Sequence, residues 1–233
     1  MDMFDLLSLF SPYDFAAAGF ILATWVAIGL RIETATGKNP SVSVLMKAYR
    51  RGWMTEFITR QPRIFDANIL SNLRQGTTFF ASSAMIAIGG GLAVMGNVDQ
   101  LAELATDLNL GRSPALVWDI KIAFVLLFVT NAFLKFVWAH RLFGYCSILM
   151  AAVPNDPDDP MAMPRAMKAA EINIIAARSF NRGLRSIYFS ITALFWLIGP
   201  IPLFLATLTT LFIIWRREFN SQSRTVLLQP ETE

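Results

Sequence analysis

Apolar residues gather into four long stretches along the chain, and the polar residues between them carry most of the charge. Residues 15–30 are uncharged and lie between Asp14 and Arg31; the second stretch lies between Arg74 and Asp99. The third covers 115–137, and the fourth is uncharged from 186 to 215. A helix needs about twenty mainly apolar residues to cross roughly 30 Å of hydrocarbon. Open sheet edges do not survive in lipid, because unpaired backbone groups there cost several kcal/mol each. The pattern therefore predicts an all-α, polytopic transmembrane helical bundle with four spans, at about 13–32, 77–96, 115–138 and 187–215.

The fourth stretch is interrupted at its middle by Gly199, Pro200 and Pro202. Its two arms, 186–198 and 203–215, form either a re-entrant hairpin or one kinked span. Each arm is about 20 Å long at 1.5 Å per residue, too short to cross alone. Proline kinks are ordinary in membrane helices. One kinked span is expected, and the side of the C-terminus stays open.

Charge sorts the connections. From Arg31 to Arg74, both included, there are eight basic residues, and from Lys135 to Arg185, both included, there are seven. The connection between spans two and three holds Asp99, Glu103, Asp107 and Arg112, and the N-terminus holds Asp2 and Asp5. By the positive-inside rule the regions 33–76 and 139–186 are cytoplasmic and the N-terminus is outside. Arg216, Arg217 and Arg224 sit uneasily with this, because four spans put them outside. The N-terminal ten residues lack a basic start, so no cleavable signal is expected.

Within the cytoplasmic regions a helical period continues. Val44, Leu45, Ala48, Met54, Phe57 and Ile58 oppose Lys47, Arg50 and Arg51. Farther on, Ala166, Met167, Ala170, Ile174 and Ala177 oppose Arg165, Lys168, Glu171 and Arg178. Both read as amphipathic helices, with 155–160 as a solvated turn and Pro164 suited to a helix start.

Composition adds the class and removes chemistry. Hydrophobic residues are 55% of the chain, charged residues 16%, and the mean hydropathy is +0.47. A net charge of +3, placed beside apolar spans, points to anionic lipid rather than nucleic acid. One Cys and one His exclude an intrachain disulfide and multi-Cys or multi-His metal sites. No metal and no cofactor is expected, and no Ser/His/Asp arrangement or paired carboxylate argues for an enzyme.

Polar groups near the third span are Asp119, Lys121, Asn131, Lys135, His140 and Arg141. Lys121 and Lys135 are about 21 Å apart along a helix, so both reach opposite interfaces by snorkelling. Asn131 suits an interhelical hydrogen bond, and Trp118, Trp138 and Tyr145 suit aromatic belts. His140 fits packing or a headgroup contact, Cys146 a buried thiol, and Asp14 an N-cap. Ser83, Ala87 and Gly91, spaced by four, form a small-residue stripe for helix packing. Arg178, Arg182 and Arg185 share a helix face and, with Arg141 and Trp138, are expected to contact anionic lipid or a partner. A salt bridge from Arg185 to Asp66 is the alternative.

Residues 60–66 (RQPRIFD), 79–93 (FFASSAMIAIGGGLA), 135–154 (KFVWAHRLFGYCSILMAAVP), 180–200 (FNRGLRSIYFSITALFWLIGP) and 217–221 (REFNS) resemble the membrane family known as domain of unknown function 599. Ile187 departs from it where the family tends to have an aromatic. The resemblance implies a bacterial-type four-span protein and brings no activity. The expected role is a non-catalytic accessory or scaffold subunit of a cytoplasmic membrane, with anionic lipid headgroups and other subunits or itself as partners. The alternative is a small-solute or ion transporter lined by Lys135, Asn131, Gly199, Pro200 and Pro202.

Overall fold

The computed structural model describes residues 9–34, 39–98, 100 and 114–230, and all regular structure among them is helical. Its α-helices are α1 (Pro12–Glu33), α2 (Val42–Thr59), α3 (Ile64–Met95), α4 (Ala115–Ala151), α5 (Ala162–Leu194), α6 (Pro200–Phe219) and α7 (Gln222–Leu227). Asp2, Asp5, Lys38, Asp99, Glu103, Asp107 and Arg112, whose charges entered the orientation argument, lie outside the described residues. Three helices, α1, α3 and α4, are long and apolar enough to cross a membrane. The chain divides into two compact units. The first is Met1–Leu30, Ser83–Ala132 and Leu184–Trp215; the second is Arg31–Ser82, Phe133–Gly183 and Arg216–Glu233.

In the first unit, α1 opens on a capping box. The Asp14 amide donates to Ser11 Oγ at 3.2 Å, and the Ser11 amide donates back to Asp14 Oδ2 at 3.1 Å. Pro12 fills the first helical position, where no N–H is needed. Asp14 is therefore the reciprocal partner at N3, and Ser11 is the cap that the sequence assigned to Asp14. The second Asp14 oxygen accepts from Trp196 Nε1 at 2.7 Å. Aromatic contacts continue from Trp196 to Phe124, from Phe124 to Phe128, and from Phe128 to Trp25 and Phe189. Phe128 and Phe189 are fully buried.

The fourth apolar stretch departs from the expected single span. After Leu194 a 3₁₀ turn covers Phe195–Leu197, Gly199 takes φ 157°, and Pro200 begins α6. The hydroxyls of Thr192 and Thr210 lie 2.6 Å apart. Eighteen residues of continuous helix would separate them by about 27 Å. The chain reverses instead, so 187–215 is two antiparallel helices. The arms looked short because an apolar count stops at the first charge. Backbone bonding does not stop there: α5 has 33 residues and α6 has 20.

The second unit has its own apolar core. It joins Met54, Phe57 and Ile58 of α2, Leu70 of α3, Leu142, Phe143, Cys146 and Met150 of α4, and an alanine row on α5. That row, Ala162, Ala166, Ala169, Ala170 and Ala176, presents little bulk to its neighbours. Val44, Leu45 and Ala48, expected on the apolar side of α2, are not in this core. Ser41 caps α2, accepting from the Val44 amide at 3.2 Å and donating to the Ile32 carbonyl at 2.7 Å. The C-terminal segment packs here too. Arg31 lies over the Phe219 ring at 4.8 Å, Glu218 accepts from Ser43, and Arg224 donates to the Pro40 carbonyl at 3.0 Å.

Candidate functional site

A groove of about 630 Å³ opens in the second unit between α3 and α4, with Phe57 of α2 at its wall. The α3 side chains Ala67, Ser71, Arg74 and Thr78 recur at three- and four-residue spacing, which puts them on one face. His140, Ser147 and Ala151 line the α4 side in the same way. α3 and α4 run antiparallel here. Arg63 donates to the carbonyls of Val153 and Pro154 at 2.8 and 2.7 Å, while Thr77 and Thr78 reach His140. Apolar surface comes from Leu70, Phe79 and Met150. Arg63, Arg74 and His140 line the groove, and among the described residues no acidic one does.

Hydrogen bonds at the Arg74 end favour one tautomer of the histidine. Thr77 Oγ1 donates to the Arg74 carbonyl at 2.6 Å and lies 3.2 Å from His140 Nδ1. A hydroxyl has one hydrogen, so Nδ1–H donates to the threonine oxygen, and Nε2 is the acceptor. Nε2 faces Arg74 Nη2 at 3.5 Å, a long contact. The Arg74 Nε is buried with no hydrogen-bond partner. An anion recruiter with spare donors, an imidazole and a hydroxyl thus stand together beside apolar surface.

The residues singled out by sequence fall into two groups. Arg182 forms a salt bridge with Glu33, which holds its guanidinium pKa above the ordinary value, chiefly through the hydrogen bond. Arg185 is buried, with 7% of its surface exposed. Arg182 stays exposed beside Glu33, whereas Arg185 is withdrawn from the surface on which their shared spacing put it. Arg178 and Trp138 are exposed, as is Arg141, which stacks over Tyr145 and donates to its hydroxyl at 2.6 Å. Asp66 is fully buried and pairs with Arg60 and Trp53 Nε1, not with Arg185. Lys121 does not snorkel: it is 9% exposed, with Nζ 5.5 Å from the centre of the Trp118 ring, and Trp118 is itself buried.

The small-residue stripe is also displaced. A Cβ on Gly91 would meet Leu126 at 2.5 Å, so Gly91 is a close-packing position, while Ser83 and Ala87 are exposed. The buried small residues of α3 are Thr77 and Ala84, each seven residues from the next position in the series that ends at Gly91. Asn131 accepts from Ser186 Oγ at 3.0 Å, the kind of interhelical bond expected for it. That bond places Asn131 thirteen helical residues, about 20 Å, from Gly199 at the turn. Asn131, Gly199, Pro200 and Pro202 therefore do not converge. The Lys135 carbonyl accepts from Ser179, within the second unit. Cys146 is fully buried, with Sγ 3.4 Å from the Ala169 carbonyl and 3.7 Å from Asn173 Nδ2. Among the described residues no three His, Cys, Asp or Glu side chains gather to hold a metal.

Sequence reasoning noted His140 alone, had Arg63 only within the 60–66 run and left Arg74 as a span boundary. What it lacked was the pairing of two helices more than sixty residues apart, as the Thr77 to His140 contact records.

Among the described residues the architecture defines a class: all-helical, with three helices of membrane-crossing length and apolarity. The family model "Protein of unknown function, DUF599" matches residues 16–223, and the chain belongs to that family. Neither a curated protein nor a solved structure matches the chain.

Proposed function

We propose that the chain is a five-crossing protein of a bacterial-type cytoplasmic membrane, with its N-terminus outside and its C-terminus inside. It works there as a non-catalytic accessory or scaffold subunit through lipid and helix contacts. The reversal at Gly199 is the observation that supports this reading. A fifth crossing brings Arg216, Arg217 and Arg224 to the side of the other basic regions and removes the conflict in charge. The packing of Phe219 on Arg31 is consistent with that placement.

Two further observations favour the scaffold role. In the most apolar eighteen-residue window of α3 only 6% of positions are buried, which leaves a long face for lipid or another helix. Ser83, Ala87, Gly89 and Gly90 on it are small enough for close helix approach.

Topology and association are tested separately. A reporter fused after Glu233 is expected to read out inside, and an outside readout overturns five crossings. In native lipid the protein is expected to crosslink to itself or to another subunit; a solitary monomer overturns the scaffold role.

A further inference from the structure

We propose that the groove between α3 and α4 holds the headgroup of an anionic phospholipid, with the phosphate on Arg74 and His140 and the acyl chains leaving past Phe79. The inference rests on the membrane placement proposed above. It starts from charge. Arg74 and Arg63 face the groove with His140, no lining residue is acidic, and Arg74 has no carboxylate partner among the described residues. Its buried Nε lacks an acceptor and its Nη2 has only the 3.5 Å contact to His140. A charged donor withdrawn from water without an acceptor is costly, and a phosphate oxygen supplies one in the geometry a guanidinium favours.

His140 and Thr78 can turn to the same anion without gaining a proton. Thr78 Oγ1 is 3.2 Å from Nδ1 and 3.2 Å from the Arg74 carbonyl. When its hydroxyl rotates to donate to Nδ1, the imidazole takes the other tautomer and Nε2–H becomes a donor to phosphate. Arg74, released from Nε2, donates beside it.

Position along the helix selects a lipid over a soluble anion. Arg74 is the last charged residue before an uncharged run from 75 to 98. Phe79 begins the exposed apolar face at 67% exposure and also lines the groove. Acyl chains leaving there follow α3 into hydrocarbon. In the other direction Ser71, Ser147 and Asn155 line the groove with groups that hydrogen-bond hydroxyls, which fits a glycerol headgroup better than choline.

The test uses the full chain in nanodiscs of phosphatidylcholine containing a minor fraction of phosphatidylglycerol, with bound lipid counted by native mass spectrometry. Wild type is expected to retain phosphatidylglycerol over phosphatidylcholine. Arg74→Gln is expected to lower that retention roughly tenfold, the usual scale for a hydrogen-bonded charge. Arg51→Gln, an exposed arginine outside the groove that pairs with Glu171, is expected to leave it unchanged. Should Arg74→Gln melt early, Ser147→Leu blocks the groove from α4 without touching Arg74 and is expected to give the same loss. Equal retention by folded wild type and groove variants overturns the proposal. So does displacement of the lipid by millimolar glycerol phosphate, or by an acidic peptide. With the C-terminal reporter inside, such a result defeats only the lipid site; an outside reporter defeats the topology beneath it.

Discussion

Gly183 and Gly91 both lie where an added methyl group meets a neighbour, but the neighbours differ. At Gly183 the Cβ would fall 2.5–2.9 Å from the Phe136 ring, which is fully buried and stacked against Phe80. At Gly91 it meets the branched end of Leu126, which can change rotamer. Gly183→Ala is expected to cost about 1–3 kcal/mol through overpacking, and Gly91→Ala clearly less, measured as melting in detergent. Ion pairs divide in the same way. Asp66 is fully buried beneath Arg60 and Trp53, whereas the Arg51–Glu171 pair is about half exposed on both sides. Asp66→Ala is expected to cost about 1–3 kcal/mol by stranding its donors, and Glu171→Ala less than about 1 kcal/mol. Double-mutant cycles with Arg60 and Arg51 check both. Little of this was legible in the sequence. Arg178, Arg182 and Arg185 look equivalent by spacing, yet Glu33, 149 residues away, pairs with Arg182, while Arg185 is buried and Arg178 exposed.

Helix α3 shows what periodicity can and cannot specify. Its existence followed from the apolar run after Arg74, but its packed side did not. Residues spaced by four advance about 40° around a helix at each step, so Ser83, Ala87 and Gly91 wind away from any one neighbour. Spacing by seven drifts only about 20°, and Thr77, Ala84 and Gly91 hold one side. Small residues alone carried no register. The α5–α6 reversal was legible as a choice, since Gly199 and Pro200 marked the break, and the length of the arms misdirected it. Thr192→Cys with Thr210→Cys, on a Cys146→Ala background, is expected to form a disulfide on mild oxidation. Absence of the crosslink in folded protein, read as both thiols still taking a maleimide mass tag after oxidation, restores a single kinked helix.

At the scale of the whole molecule, the described structure falls into two units, and both draw on segments remote in sequence. The all-helical class, the membrane-length helices and the family were visible from hydropathy and motif order. The groove was not, because it needs Arg74 and His140 brought together by tertiary pairing. In the second unit the C-terminal segment acts as a clasp on the start of α2, through Glu218 on Ser43 and Arg224 on the Pro40 carbonyl. Deleting residues 216–233 removes these contacts and Phe219 from Arg31 together. The shortened protein is expected to melt earlier and to be cleaved faster by trypsin within 31–63.

Asp14 has a consequence for how the chain is made. One of its oxygens completes the first turn of α1 with Ser11, and the other waits for Trp196, 182 residues later. During synthesis α1 enters the bilayer with that carboxylate half satisfied, and it stays so until the helix before the turn has emerged. A nascent chain stalled short of Trp196 therefore keeps one carboxylate oxygen at the start of its first helix without that donor. The same carboxylate that starts α1 reports on whether the end of α5 has arrived.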